Sequence, residues 1–304
     1  MGSTAPMNTS DFTRPPQGMQ KYAAPSLFQP HHARRAIRDA YEKKIPPLLG
    51  YYAGLSSVPI TRFVAPMGFD MVWIDWEHTA CGVETMTTMV HEVMFMSAGR
   101  TIPFVRVPGH DHAAIGYALD AGASLIVPQV ETVEQARHVA SAAKFGARRG
   151  GTRSAPPFRL VPGLTDAGAD GVRDVWQNWN DQAAIMIQIE SLRGIENLDA
   201  ILAAVPEIDV VWLGSLDCRV SMGLPGSIAT VGTEPEWLRA VDVFNAALKK
   251  HGKPRAGWCF APPGGEELKK AAEENVILVR TADVLKLFEM GADLVAAREA
   301  LEDK

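Results

Sequence analysis

The chain has 304 residues, 47% of them hydrophobic and 21% charged, with a formal net charge of −5. That is the composition of an ordinary globular protein, and the acidic balance argues against nucleic acid as the main partner. No apolar run reaches the roughly 18 residues that a membrane-spanning helix needs. Residues 1–30 are rich in Pro, Ser, Thr and Met and lack the apolar core of a signal peptide, so they read as a flexible arm. Cys81, Cys218 and Cys259 are too few and too scattered for a disulfide framework or a zinc site, and they fit a reducing, cytoplasmic compartment.

Residues 31–304 read as one domain. A first amphipathic helix is predicted over 31–44, with Ala33, Ile37 and Tyr41 on its apolar face. Strand-like and helix-like segments then alternate: a strand over 47–52, a helix over 57–66, a strand over 71–75, a helix over 83–97. A strand over 102–107 precedes a helix over 111–121 that stops at Gly122. The strand over 124–128 leads to a helix over 133–145. The strand over 184–190 leads to a helix over 195–205. A strand over 209–213, a helix over 234–251, a strand over 255–260 and a helix over 265–274 follow. The last unit is a strand over 276–279 and a helix over 282–290, and residues 291–304 form an extra helical tail. Short, near-continuous apolar strands, each followed by a helix, indicate a parallel sheet covered on both faces. Eight such units in about 250 residues give the count and size of a (β/α)8 TIM barrel; a doubly wound open sheet usually has fewer strands at this length. A barrel does not need the tail, which is therefore available for exchange with a neighbouring subunit. Residues 146–181 break the rhythm with a connection far above the usual length, read as a lid or substrate-binding loop, or else as a solvated insertion.

Charges fall repeatedly at the ends of the apolar strands. Residues 71–74 run into Asp75, Glu77 and His78; residues 102–105 end at Arg106; residues 185–189 end at Glu190; residues 210–213 lead to Asp217. Burying a charge without a partner costs several kcal/mol, on the order of what a domain can spare. Four strands charged at the same end therefore indicate one shared site, at the C-terminal mouth where barrel enzymes place their chemistry. Glu190 and Asp217 end neighbouring strands and suit one hard cation such as Mg2+, with Gln188 facing the same side. The alternative is a structural ion pair and a helix cap. His78 is an acid/base candidate, with Asp75 three residues earlier to fix its tautomer, although histidines at a surface are common. Arg106 suits a carboxylate or enolate oxygen, or else pairs structurally with an acid such as Asp75. The run from Gly214 to Asp217 reads as a tight turn whose amides, near Leu216 and Asp217, suit a carboxylate. Trp73 reads as barrel filling or as a surface beside the substrate.

In order along the chain, GFDMVWIDWEH at 68–78, FVRVPG at 104–109, LDAGASLIVPQVETVEQAR at 119–137, IQIES at 187–191 and LGSLD at 213–217 resemble the HpcH/HpaI aldolase (citrate-lyase-like) family. The resemblance covers about 45–297. It implies Mg2+, or another divalent ion such as Mn2+ or Co2+, on Glu190 and Asp217. It also implies His78 as acid/base supported by Asp75, Arg106 on the pyruvate enolate oxygen, and Asp120 near a subunit interface. Gln188, Ser215, Leu216 and Trp73 are then expected at the substrate, in a homo-hexamer with an exchanged C-terminal helix. Two motifs depart from the usual pattern: GSLDCR stands at 214–219 for G-P-A-D-L-S, and DWEH at 75–78 for D-G-E-H. With Trp73 and the Met-rich helix after the second strand, they resemble a fungal, secondary-metabolic branch of the family. That branch decarboxylates oxaloacetate to a pyruvate enolate and adds it to a 2-pyrone, giving a benzoate after loss of CO2 and water. The alternatives are a class II pyruvate aldolase cleaving 4-hydroxy-2-oxo acids and a non-catalytic, metabolite-binding barrel. Partners are expected to be small molecules, with no nucleic acid and no membrane.

Overall fold

The computed structural model describes residues 19–23, 30–146, 150–156, 160–161, 174–226 and 232–302. Its strands are β1 (Leu48–Ala53), β2 (Met71–Asp75), β3 (Ile102–Arg106), β4 (Ser124–Val127), β5 (Ile185–Ile189), β6 (Val210–Leu213), β7 (Arg255–Trp258) and β8 (Ile277–Ala282). They pair in sequence order, all parallel, and β8 closes on β1 to make the expected barrel. The helices are α1 (Ala33–Tyr41), α2 (Val58–Val64), α3 (Val83–Met96), α4 (His112–Ala121), α5 (Val133–Ala143), α6 (Val175–Gln182), α7 (Leu192–Ala204), α8 (Ser215–Ser221), α9 (Pro235–His251), α10 (Glu266–Glu274) and α11 (Asp283–Glu302). Several begin where a side chain caps the first amides: Asp111 before α4, Ser191 before α7, and Thr132 with Gln135 in a reciprocal capping box before α5. None of the helices among the described residues is long and apolar enough to cross a membrane.

Strand side chains alternate between two environments. On β2, Val72 and Ile74 join the large core between barrel and helices, whereas Met71 and Trp73 join the interior cluster with Phe104, Ile126, Met186 and Trp212. The period continues past the apolar part of each strand. Asp75 follows Met71 and Trp73, Arg106 follows Ile102 and Phe104, and Glu190 follows Met186 and Gln188. The alternation that fills the barrel thus also aims these polar groups inward at its C-terminal mouth.

Four local expectations need correction. Met19–Tyr22, inside the segment read as a flexible arm, forms a 3-10 turn packed into the interior cluster. Tyr22 is fully buried and donates to Asp39 Oδ2 at 2.5 Å; the rest of that segment, apart from Ala23 and Pro30, lies outside the described residues. The tight turn after β6 is the first turn of α8. The long connection before β5 carries a helix, α6, capped by Asp174. The last predicted helix and the tail are one continuous helix, α11, running through Gly291.

Candidate active site

At the C-terminal end of β2 and β3, Asp75 and Arg106 form a buried ion pair. Arg106 Nε donates to Asp75 Oδ1 at 2.9 Å and a terminal nitrogen to Oδ2 at 2.8 Å. Tyr52, from β1, adds a 2.5 Å hydrogen bond to Oδ2. Asp75 is fully buried, which pushes its carboxyl up, but the guanidinium and the phenol outweigh burial and hold it below its usual range. Burial works against charge on Arg106 too, and Asp75 more than offsets it. Burial, then Asp75, raise the Tyr52 phenol, which keeps its proton as the donor. Arg106 also lies 3.2 Å from Glu77 Oε2 and 5.2 Å over the Trp73 ring.

Glu190 stands across the mouth at the end of β5. Its Oε2 accepts the Gln129 amide at 2.7 Å and its Oε1 accepts Gln188 Nε2 at 3.2 Å. Burial pushes its carboxyl up to about 7; Asp217 and Glu77 add to that rise and the Gln129 amide opposes it. Asp217 sits in the first turn of α8. Gly214 precedes that helix with no side chain, and a Cβ there would come 2.4 Å from Glu190 Cγ.

This donor set fits a hard divalent cation. A buried carboxylate facing a second one is electrostatically frustrated unless a cation joins them. Gln188 Oε1, itself buried, has no hydrogen-bond partner and is a neutral oxygen of the kind such ions accept. Among the described residues no three His, Cys, Asp or Glu side chains group closely enough to hold a metal by themselves. Glu190 and Asp217 would therefore hold Mg2+ with water and substrate oxygens completing its shell.

These groups line a cleft of about 520 Å3 at the barrel mouth, with Ser215 and Leu216 beside Asp217. Much of the lining is aromatic: Tyr52, Trp73, Trp212, Trp258 and Phe260. A larger groove, about 910 Å3, lies at the other end of the barrel among Lys43, Lys249, Lys253 and Arg255. It contains none of the strand-end groups, and chemistry in this fold sits at the C-terminal mouth.

The predicted residues Trp73, His78, Arg106, Gln188, Glu190, Ser215, Leu216 and Asp217 all line the mouth cleft, with Asp75 fully buried behind Arg106. One relation differs from expectation. Asp75 does not orient the His78 ring; it accepts the backbone amides of Glu77 at 3.1 Å and His78 at 3.5 Å, and its oxygens serve Arg106. The ring Nε2 of His78 lies 3.5 Å from Glu77 Oε2, and the side chain is 64% exposed. Asp120, expected near a subunit interface and not in the cleft, pairs with Arg153 at 2.6 Å. Within the connection 146–181, read as a lid, Trp176 and Trp179 pack on Phe145 in a small separate core, while Arg148, Arg149 and Phe158 lie outside the described residues. Sequence reasoning missed Tyr52, Trp212, Trp258, Phe260 and the Gln129 amide. Inward strand parity marks the four side chains; nothing in the sequence marks the amide.

Comparison with known proteins agrees with this geometry. The model of the HpcH/HpaI aldolase/citrate lyase family matches residues 48–252, more than half of the chain. The chain is 31% identical over 215 residues to the hydroxypyruvate/pyruvate aldolase of Delftia acidovorans, covering 69% of this chain and 75% of that one. It is 35% identical over 188 residues to a 4-hydroxy-2-oxovalerate aldolase of Novosphingobium aromaticivorans, covering 60% of this chain and 66% of that enzyme. Among solved structures, macrophomate synthase superposes with a TM-score of 0.83 at 31% identity, covering 95% of each chain. With its barrel, its strand-end charges and these relatives, the chain belongs to the HpcH/HpaI aldolase/citrate lyase family, and it is an enzyme of the lyase type.

Proposed function

We propose that this enzyme decarboxylates oxaloacetate to a pyruvate enolate and adds the enolate to an electrophile, a 2-pyrone in the reading that gives a benzoate. The observation that carries the reading is the convergence of Arg106, Glu190 and Asp217 on one cleft with an aromatic wall. The likeness to macrophomate synthase across 95% of the chain supports it. A divalent cation on Glu190 and Asp217, whether Mg2+, Mn2+ or Co2+, supplies Lewis-acid stabilisation of negative charge. Arg106 faces the oxygen on which charge develops as the bond to CO2 breaks and its electron pair moves into the keto group. Asp75 and Tyr52 fix the guanidinium in place for that task. The amides near Leu216 and Asp217 hold the substrate carboxylate, with Ser215 and Leu216 beside it. Gln188 orients Glu190, and Trp73 forms the floor under Arg106. His78, at the open edge, moves a proton to or from the product oxygen.

The test is pyruvate formation from oxaloacetate before and after EDTA treatment, and again after Mg2+ is restored. Turnover that vanishes with EDTA and returns with Mg2+ supports the reading, and failure of the restored enzyme to decarboxylate rejects it. A second reading, cleavage of 4-hydroxy-2-oxo acids, is favoured by the aldolase relatives and by the exposed position of His78. It wins if such acids turn over faster than oxaloacetate.

The assembly we infer is a homo-hexamer in the cytoplasm. Its support is the apolar exposed surface of α11 and the three cysteines, all free. Asp120 would then lie near a subunit boundary.

A further inference from the structure

We propose that Trp258 and Phe260 form a stacking platform that selects a flat, conjugated electrophile as the second substrate. The inference rests on the carbon–carbon bond-forming reading above and specifies its acceptor side.

Trp258 ends β7 and Phe260 lies two residues further, so both share the inward parity of Ala256, which belongs to the interior cluster. Cys259, between them, is buried. The rings continue a stack that begins at the guanidinium: Arg106 lies over Trp73, and Trp258 is parallel to Trp73 within 17° at 5.8 Å. Phe260 follows Trp258 at 5.4 Å and 33°. Exposure rises along the series, from 1% for Trp73 to 40% for Trp258 and 44% for Phe260. Trp212 and Tyr52 meet Trp258 nearly edge-on at 5.4 Å and fix its plane.

The backbone that carries the platform is held firmly. Cys259 donates its amide to Val279 O at 3.1 Å, and Arg280 donates to the carbonyl oxygens of Cys259 and Ala261. Large aromatic faces left open in the wall of a polar cleft are a binding surface rather than core. Because they are held in place, little entropy is lost when a ring docks on them. A saturated or polyhydroxylated acceptor offers no flat face to match these rings.

The probes are 2-pyrone and its saturated counterpart δ-valerolactone, titrated into the full chain by ligand-observed NMR without oxaloacetate. Wild type is expected to bind 2-pyrone more tightly than δ-valerolactone. Trp258→Leu and Phe260→Leu should each raise the 2-pyrone Kd about three- to tenfold, the value of one aromatic pair, and leave the δ-valerolactone Kd moving far less. Phe260→Tyr should restore 2-pyrone binding. Thermal unfolding of each variant separates a lost platform from a lost fold, and Phe260, half exposed after the strand, is the variant least able to disturb the barrel. The proposal is overturned if wild type shows no preference for the flat ring, or if the leucine variants weaken both probes equally. These titrations do not depend on decarboxylation, so they stand apart from a failure of the oxaloacetate reading.

Discussion

The side chain of Glu190 occupies the space that a side chain at Gly214 would need: a Cβ built there lies 2.4 Å from Glu190 Cγ and 2.8 Å from Oε1. Gly214 has φ −75, a backbone conformation open to any residue, so the constraint is contact alone. Gly214→Ala should therefore leave the fold intact and displace the Glu190 carboxylate. A shift of about 1 Å at a reacting centre costs about a hundredfold in rate. The expected result is a drop of that size in oxaloacetate turnover and weaker Mn2+ binding by calorimetry, with an unchanged circular dichroism spectrum. Full activity would show that Glu190 is not held by this contact.

Arg106 and Asp75 separate structure from chemistry through a pair of variants. Arg106→Ala strands a fully buried carboxylate, which costs about 3–5 kcal/mol of stability. Adding Asp75→Asn removes the stranded charge, so the double variant should regain much of that loss in a urea melt. It should not regain turnover, because the guanidinium itself is missing. Recovery of both would assign the pair a purely structural role.

Strand ends were the legible part of this site. The alternation Met71, Trp73, Asp75 and its counterparts on β3 and β5 is visible in one dimension, and a barrel converts that parity into a common mouth. Partner choice was not legible. Asp75 is three residues from His78, yet its oxygens serve Arg106 from the next strand, because the register pairs Asp75 with Arg106. Trp73 read as filling, and nothing in the sequence set Trp258 and Phe260 apart from it; only their exposure distinguishes wall from core. The sequence divides the last helix from the helical tail at Gly291, but one interior glycine costs only about 1 kcal/mol, and α11 runs through it. The helix α6 carried a readable signal, Asp174 with its side chain on the Gln177 amide, inside a segment otherwise rich in Gly and Arg.

Acid should weaken the fold through His31. This residue is buried, its Nε2 within 3.1 Å of Arg100 O, and burial lowers its pKa to about 3. The unfolded chain binds a proton there near pH 6.5 while the folded chain does not, so stability is present above 6.5 and is lost as pH falls toward 3. Between pH 7 and pH 5 this one group costs about 2 kcal/mol. Urea midpoints at the two pH values should show that loss in wild type and a smaller one in His31→Gln. Equal losses would place the acid sensitivity elsewhere.

His78 should divide the two candidate reactions. Decarboxylation needs an electron sink but no proton transfer as the bond breaks, whereas aldol cleavage must remove a hydroxyl proton. His78→Ala is expected to slow cleavage of a 4-hydroxy-2-oxo acid by about a hundredfold or more and oxaloacetate decarboxylation by much less. Equal loss in both assays would make His78 a substrate-positioning group.

In the assembly proposed above, the C-terminal helix is the expected contact between subunits. Of the 20 residues of α11, only Asp283 is buried, while Phe288 and Leu301 are 68% and 70% exposed and Leu294 and Val295 are each 56% exposed. Contiguous apolar surface of this kind on one helix is unusual for a monomer, and burying a single Leu or Phe is worth about 1.5–3 kcal/mol. Asp283 itself anchors the start of the helix by accepting the Gly54 and Leu55 amides at 2.9 and 3.1 Å, so the exposed remainder extends from a fixed base. Light scattering should give one species several times the 33.0 kDa chain mass. Phe288→Glu with Leu294→Glu should shift it to smaller species, since each charge would have to be buried unpaired in the interface. A wild-type mass equal to one chain would remove the hexamer, and an unchanged mass in the double variant would move the interface away from α11.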